Sequence, residues 1–188
     1  LKLENLQETG SFKLRGVMNA ILSLGLAAAG RTLVAASTGN HGAAFAHAVS
    51  KLGLDGRLYM PCSTSAAKVE RVRATGLPLE LVGEDCVEAE LAAAAWAREH
   101  GAVWISPYND PRVVEGQGTV AAELLEQLPG LDEVLVPVGG GGLIGGMAAC
   151  LKAARPEVRV IGCQPRASCV MARSVAAGRL LDLPSLPT

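Results

Sequence analysis

Three short segments of the chain combine residue types that can do chemistry, and one of them is a run of four glycines, Gly139 to Gly142. The run follows the apolar segment Val134 to Val138 and precedes an alanine-rich stretch with a helical period. Backbone N–H groups at such a strand-to-helix turn converge on an anion at the positive end of the helix dipole. A merely flexible turn is the alternative, but four glycines are an entropically costly way to build one. The run therefore predicts a phosphate-binding site.

The surroundings of this glycine run indicate which kind of phosphate it binds. Gly140-x-Gly142-x-x-Gly145 formally matches the dinucleotide fingerprint, which also requires an acidic residue about 20 positions later, at the end of the next strand. The next predicted strand ends in Ile161-Gly162-Cys163-Gln164, which contains no acid, and no Lys-Ser or Lys-Thr pair follows the glycines to complete a Walker motif. A small phosphate cofactor fits the pattern better than a dinucleotide.

Lys13 is the second candidate for chemistry. It stands in the first turn of a segment with helical period, Phe12 to Leu24, and directly follows an aromatic residue. The positive end of a helix dipole disfavours the ammonium form and lowers the pKa of the amine, which helps it act as a nucleophile or a base. A solvated surface lysine is the commoner explanation when such a residue is considered by itself.

The third candidate is the loop Ser37-Thr38-Gly39-Asn40-His41-Gly42, which lies between a predicted strand and a predicted helix. Its hydroxyls, amide and free N–H groups could hold a carboxylate. Capping of the helix by Ser37 or Thr38 is the structural alternative. His41 could be a catalytic base, but its loop supplies no acidic partner to orient it.

The elements that must position these segments alternate between strand and helix about every 20 to 25 residues, which predicts βαβ units and parallel sheets covered by helices, an α/β fold. Ligands bind such sheets at the carboxyl ends of the strands, where both loops described above lie. The predicted strands are 32–36, 57–60, 79–82, 103–105, 134–138 and 158–162. The predicted helices are 12–24, 41–52, 66–75, 88–100, 112–127 and 143–154.

The composition excludes several classes of protein. Apolar residues make up 49% of the 188 residues and the formal net charge is −1, so the chain is not of the disordered class. Because there is no long uninterrupted apolar run, no basic surplus and only 3% aromatic residues, we expect neither a membrane nor a nucleic-acid partner. Five cysteines at irregular spacings fit neither a disulfide framework nor a paired metal site, and they predict reduced thiols in the cytoplasm.

The three segments together, Gly-Ser-Phe-Lys-Leu-Arg-Gly, Ser-Thr-Gly-Asn-His-Gly and the four glycines, occur in an order and at spacings that resemble the serine/threonine dehydratase and serine racemase family of fold-type II pyridoxal-phosphate enzymes. The resemblance covers essentially the whole chain. It implies a two-domain architecture like that of tryptophan synthase β, with residues 31–109 as the small domain and residues 1–30 and 110–188 as parts of the large one. It also implies that the chain is incomplete at both ends.

For the cofactor, pyridoxal 5'-phosphate, the resemblance implies a set of binding residues. Lys13 would form the Schiff base, Phe12 would pack against the ring, and Asn40 would bind the ring's 3-hydroxyl. The phosphate would be held by Gly139, Gly140, Gly141, Gly142 and Leu143. The segment from Glu115 to Thr119 also matches a landmark of the family, and we expect it to be a helix entry that lines the cleft.

For the substrate, the resemblance implies an amino-acid carboxylate surrounded by Ser37, Thr38, Gly39, Asn40 and His41. The implied activity is that of an ammonia-lyase acting on serine, threonine or a related β-hydroxy amino acid such as threo-3-hydroxyaspartate. The extra carboxylate of the last would need a cation, for which Arg112 and Arg166 are candidates. The same resemblance implies a homodimer.

Two departures from the family narrow these expectations. Serine racemases carry a second serine, which the resemblance implies protonates the opposite face of the α-carbon, where this chain has Thr38. Thr38 keeps a hydroxyl and is a candidate catalytic residue beside Lys13, but its methyl group restricts the rotamer, so we expect elimination rather than racemisation. Some members bind a divalent cation through two carboxylates, but the matching positions here are Gln164 and Val170, so no metal is expected. An amino-acid racemase and a non-catalytic fragment or binding module remain the alternatives.

Overall fold

The computed structural model describes residues 1–28, 30–181 and 183. Its residues form two compact units, Leu1–Gly116 and Gln117–Thr188, and each is described by itself. The first unit contains the helices α1 (Lys13–Ser23), α2 (Asn40–Leu52), α3 (Ala66–Arg73) and α4 (Cys86–Glu99) and the strands β1 (Leu33–Ala36), β2 (Gly56–Met60), β3 (Leu79–Leu81) and β4 (Val103–Trp104). Short 3-10 helices occupy Glu4–Leu6 and Gly25–Ala28.

The four strands of the first unit form one parallel sheet in the order β3-β2-β1-β4. All four residues of the central strand β1 are buried. Leu33 and Ala35 belong to the core formed with α1 and α2, whereas Val34 and Ala36 belong to the core formed with α4. A strand covered on both faces is a continuous apolar run rather than an alternating one, which is why the sequence shows it so clearly.

Helix α5 (Pro111–Gln127) begins in the first unit and continues into the second. The second unit then contains β5 (Glu133–Pro137), α6 (Gly142–Ala154), β6 (Arg159–Cys163), a 3-10 helix (Arg166–Ser168) and α7 (Val170–Ala177). Strands β5 and β6 pair in parallel, with Val136 opposite Gly162. Its core contains Val136, Met147, Leu151 and Val158. The predicted α/β fold with parallel, helix-covered sheets is therefore confirmed.

Helix ends account for most of the small differences between the predicted and observed elements. Helix α4 begins at Cys86, two residues before the predicted start, because Asp85 caps it by accepting a hydrogen bond from the Glu88 N–H at 2.9 Å. The Glu88 carboxylate in turn accepts from the Glu84 N–H at 2.6 Å. The first bond satisfies an N–H group that the helix otherwise leaves without a partner, and the second fixes the chain just before the N-cap.

The expectation for the segment from Glu115 to Thr119 was wrong, since it lies inside α5 and is not the entry of a helix. Gly116 is there because of a close approach between helices. A Cβ atom at Gly116 would lie 2.6 Å from the Arg15 carbonyl oxygen and 2.7 Å from the Gly16 Cα atom, both in α1. Gly116 thus allows α5 to press directly on the helix that begins with Lys13.

Replacing Gly116 by alanine is expected to lower the free energy of unfolding. The new methyl group overlaps backbone atoms that cannot move without shifting α1, and we expect a net loss of about 2 kcal/mol, despite the better helix propensity of alanine. Urea unfolding followed by circular dichroism measures the change. Gly130→Ala is the matched control, because a Cβ atom at Gly130 would have no neighbour within 4 Å. Equal stability of the two variants would contradict the close-approach argument.

The division into a small domain (31–109) flanked by parts of a large one stays a prediction about the longer protein. The four-stranded sheet and α2 to α4 all lie within 31–109. Helix α1, which precedes this range, packs in the same core as α2 and β1.

Candidate active site

Lys13 is the first residue of α1, and Phe12 occupies the N-cap position. The Lys13 Nζ atom donates a hydrogen bond to the Pro107 carbonyl oxygen at 2.7 Å and lies 5.5 Å from the centre of the Phe12 ring. Burial lowers the pKa of the Lys13 amine, and the Glu90 carboxylate opposes this shift. The amine is thus held at a fixed place in surroundings that favour its neutral, nucleophilic form.

The loop between β1 and α2 ends in an uncapped helix N-terminus. Gly39 is the N-cap residue of α2 and makes no side-chain capping bond. The first N–H groups of a helix lack partners within the helix, so this turn of α2 can bind an anion. The predicted alternative of helix capping by Ser37 does not describe this loop: the Ser37 hydroxyl accepts a hydrogen bond from the Gly39 N–H at 3.1 Å and so folds the loop itself.

Thr38, Gly39 and Asn40 line an open cavity of about 980 Å³ in the first unit. Among the described residues, neither the Thr38 hydroxyl nor the Asn40 amide has a hydrogen-bond partner. Both side chains are therefore available to a ligand, and their binding to the substrate and to the cofactor's 3-hydroxyl stays a prediction.

Gly42 fixes the shape of this loop. A Cβ atom at residue 42 would lie 2.7 Å from the Ser37 carbonyl oxygen. The loop backbone therefore folds directly onto the first turn of α2, and only glycine permits this approach. The sequence motif contained Gly42, but its role became visible only from the contact.

His41 is buried, with 2% of the residue exposed, and its ring has a structural role. The ring's Nε2 atom lies 3.0 Å from the Ile105 carbonyl oxygen, just after β4. Burial lowers the pKa of His41 to about 4. The ring is therefore neutral at neutral pH and donates from Nε2. The prediction that His41 surrounds the substrate carboxylate thus rests on its backbone N–H, because the ring joins α2 to the end of β4.

Acidification is expected to destabilise the protein through this ring. In the unfolded chain a histidine takes up a proton near pH 6.5, whereas the folded His41 does so only near pH 4. Stability present above pH 6.5 is therefore lost as the pH falls towards 4, by about 3 kcal/mol in all. Urea unfolding from about pH 7.5 to about pH 4.5 measures this slope.

The matched variants separate His41 from the other titrating groups. In His41→Gln the amide can still donate to Ile105, and the acid slope should become shallower. His100→Gln, which replaces an exposed ring stacked on Trp96, should leave the slope as it is. Identical slopes in the wild type and in His41→Gln would show that His41 does not carry the effect.

The segment after β4, from Ile105 to Asp110, connects the candidate residues, although its sequence predicts only the end of a strand and a turn. Its carbonyl groups accept hydrogen bonds from His41 and Lys13. The Tyr108 hydroxyl donates to Glu90 Oε2 at 3.0 Å. The available signal was the Ser-Pro-Tyr-Asn-Asp-Pro cluster that follows a strand, which predicts a turn but not its partners.

The glycine run of the second unit forms the predicted strand-to-helix turn between β5 and α6. Gly141 is the N-cap residue of α6 at φ 87°, a left-handed conformation that favours glycine, and no side chain caps the helix. Gly139 and Gly140 are exposed, and a Cβ atom at Gly139 would meet nothing within 4 Å. Free N–H groups at an open helix N-terminus fit a phosphate. These residues and Leu143, the second residue of α6, belong to a different unit from Lys13.

Gln164 and Val170, which match the cation ligands of some family members, lie after β6 and at the start of α7. The Gln164 amide donates to the Val138 carbonyl oxygen at 3.2 Å and accepts from the Ala172 N–H at 2.7 Å, so it ties the end of β6 to α7. Within the described ranges, no group of three or more His, Cys, Asp or Glu side chains could hold a metal ion.

The first unit presents a half-buried lysine amine and the second an uncapped helix N-terminus after a glycine run, and these two features fit the class of enzymes that attach a small phosphorylated carbonyl cofactor to a lysine. The chain belongs to the family of pyridoxal-phosphate dependent enzymes, whose sequence model matches residues 1–188. The predicted family, fold type and cofactor are thereby confirmed.

Individual relatives are consistent with this family. The L-threonine ammonia-lyase of Thermotoga maritima is 42% identical over all of this chain and 47% of its own length. The serine racemase of Arabidopsis thaliana is 39% identical over 97% of this chain and 55% of its own. The structure of maize serine racemase superimposes with a TM-score of 0.90 at 38% identity, covering 98% of this chain and 56% of that one. The chain thus spans about half the length of the relatives it matches.

No described helix is long and apolar enough to cross a membrane.

Proposed function

We propose that the protein containing this chain is a pyridoxal-phosphate dependent ammonia-lyase. Its substrate is serine, threonine or a related β-hydroxy amino acid such as threo-3-hydroxyaspartate, and its products are a 2-oxo acid and ammonia. The observation that carries the proposal is the half-buried Lys13 amine, held by the Pro107 carbonyl oxygen in surroundings that lower its pKa. The similarity to threonine ammonia-lyases supports the reaction type.

The residues present fit the cofactor. Lys13 would hold it covalently, Phe12 would pack on its ring, and the unbonded Asn40 amide would bind its hydroxyl. The phosphate would be held by Gly139, Gly140, Gly141, Gly142 and Leu143. When bound, the cofactor supplies an electron sink for the bonds at the substrate α-carbon.

Lys13 moves the proton in this proposal. Its Nζ atom, once free and neutral, takes the proton from the substrate α-carbon, and burial favours the neutral form that can do so. The Pro107 carbonyl oxygen accepts a hydrogen bond from the amine and keeps it from swinging into solvent. A base fixed in this way needs little reorganisation before it acts.

The start of α2 holds the substrate carboxylate. The uncapped N–H groups of Asn40, His41 and Gly42 offer donors at the positive end of the helix dipole, and the Thr38 hydroxyl adds one more. Ser37 contributes by folding the loop through its bond to Gly39. Holding the carboxylate fixes the amino acid so that its α-proton faces the base.

Racemisation is the second candidate activity, and one observation favours keeping it. The Thr38 hydroxyl has no partner among the described residues, so it can deliver a proton to the α-carbon in the way that the second serine of racemases is thought to do. Incubating the cofactor-loaded protein with L-serine, L-threonine and threo-3-hydroxyaspartate separates the two activities. A lyase releases 2-oxo acid. D-serine without 2-oxo acid would contradict the proposed function.

We also propose that the native protein is a homodimer of the cytoplasm. The family resemblance supports the dimer. The five cysteines, all free thiols, support the reducing compartment. Sedimentation equilibrium gives the oligomeric state directly, and a monomeric mass would contradict this part of the proposal.

A further inference from the structure

Glu90 is a carboxylate at the ligand-binding edge of the sheet that the proposed reaction does not use. It lies in the first half of α4, the helix that follows the carboxyl end of β3. The loop Ser37 to Gly42 follows the carboxyl end of β1 in the same parallel sheet, and Tyr108 follows β4. Glu90 therefore belongs to the edge where ligands of such sheets bind.

Two hydrogen bonds connect Glu90 and the candidate base, Lys13, to adjacent residues of the segment after β4. Tyr108 donates to Glu90 Oε2 at 3.0 Å, and the neighbouring residue Pro107 accepts from the Lys13 amine at 2.7 Å. The Glu90 charge is felt at Lys13, since it raises the pKa of the amine against the effect of burial. Glu90 is only partly exposed, so its field is screened less than that of a surface carboxylate.

The neighbouring acids and cations have other partners. Asp85 and Glu88 cap α4, and Asp110 pairs with Arg112 at 2.7 Å. Arg112, one of the two arginines considered for a second substrate carboxylate, is therefore already neutralised. The other, Arg166, is exposed and belongs to the second unit.

We propose that Glu90, held in place by Tyr108, is a specificity-determining residue that admits neutral side chains and rejects a second carboxylate, so that the substrate is serine or threonine and not threo-3-hydroxyaspartate. The inference rests on the proposed function, since it narrows the substrate class of that site. A like charge placed near a partly buried carboxylate is repelled more strongly than it would be in bulk water.

Cationic side chains oppose this effect. Lys51 of α2 lines the open cavity but pairs with Glu8 at 2.9 Å, and two further cations lie on α3. Lys68 and Arg71 line the same open cavity as Thr38 and Asn40. Both are exposed, which lets solvent and salt screen them. If Lys68 and Arg71 dominated the field in the site, it would prefer an amino acid with a second carboxylate. If Glu90 dominates, the site rejects that carboxylate, so the two cases predict opposite binding preferences.

The test compares L-asparagine and L-aspartate, which have nearly the same shape and differ by one charge. Neither has a β-hydroxyl group, so binding is measured without elimination, by calorimetry on the cofactor-loaded native protein at about pH 8, where carboxyl groups are ionised. The wild type is expected to bind asparagine at least about tenfold more tightly than aspartate, and Glu90→Gln should reduce this preference about tenfold.

Control variants separate charge from structure. Glu99→Gln removes an exposed charge at the other end of α4 and should leave the preference as it is. Glu90→Gln keeps an acceptor for the Tyr108 hydroxyl, which protects the fold. Tyr108→Phe keeps the Glu90 charge but frees the side chain, and it should weaken the preference about two- to threefold.

The outcomes distinguish this inference from the proposed function. An unchanged preference in Glu90→Gln, or tighter binding of aspartate by the wild type, would overturn the role of Glu90. A preference that depends on Glu90 in a protein that releases no 2-oxo acid from serine or threonine would support the charge selection and overturn the lyase.

Discussion

Replacing Lys13 by alanine is expected to abolish 2-oxo acid release from serine or threonine, by about 10⁴-fold or more, because the variant loses both the cofactor's covalent anchor and the base that takes the α-proton. The variant should also lose the near-visible absorbance of cofactor attached to lysine. The fold should persist, since the Lys13 side chain makes one hydrogen bond, to Pro107, at the start of α1.

Two companion variants sharpen this test. Lys13→Arg keeps a positive charge but cannot lose it at neutral pH, so it should be as inactive as the alanine variant. Lys152→Ala removes a lysine of α6 that donates to the Pro156 and Val158 carbonyl oxygens and does not line the cavity of Thr38 and Asn40, and it should retain both absorbance and turnover. Substantial activity in either Lys13 variant would mean that another group is the base.

Replacing Gly42 by alanine is expected to have the second-largest effect on activity. The methyl group would meet the Ser37 carbonyl oxygen at 2.7 Å, and the loop over the N-terminus of α2 would have to move. Since displacement by about 1 Å can cost 10²-fold in rate, we expect kcat/KM to fall about 100-fold. Most of the loss should be in KM for the amino acid if the loop mainly holds the carboxylate.

Thermal and chemical stability decide how this result is interpreted. Gly42→Ala should still unfold cooperatively, but at a lower urea concentration than the wild type, because the new Cβ atom overlaps backbone as it does in Gly116→Ala. Its kinetics are therefore measured where circular dichroism shows the variant to be fully folded. Gly130→Ala, an open glycine elsewhere on the surface, should be fully active. Unchanged kinetics in Gly42→Ala would show that the loop does not position the substrate.

Much of the fold could be predicted from the sequence because each strand and helix has a recognisable pattern in its own local sequence. Strand β1 is buried on both faces, so it is a short run of apolar residues. Gly53 and Gly101 follow their helices at φ 62° and 64°, where a left-handed residue ends a helix. The strand-to-helix turn at the glycine run and the position of Lys13 in the first turn of α1 could likewise be predicted from neighbouring residues alone.

The partners of these residues could not be predicted, because they lie far away in sequence. Lys13 finds its acceptor at Pro107, 94 residues later, and His41 finds Ile105, 64 residues later. Nothing in the local pattern around Gly116 indicates that α1 lies against it. Glu90 likewise looks like an ordinary helix-surface acid until Tyr108 is placed next to it.

The central claim is that Lys13 carries the cofactor, and one measurement tests it most directly. The native protein is loaded with pyridoxal phosphate, reduced with borohydride, digested and analysed by mass spectrometry. The account predicts that the added cofactor mass lies on the peptide containing Lys13. Cofactor found on a different lysine, or no covalent label in a protein that turns over serine or threonine, would contradict it.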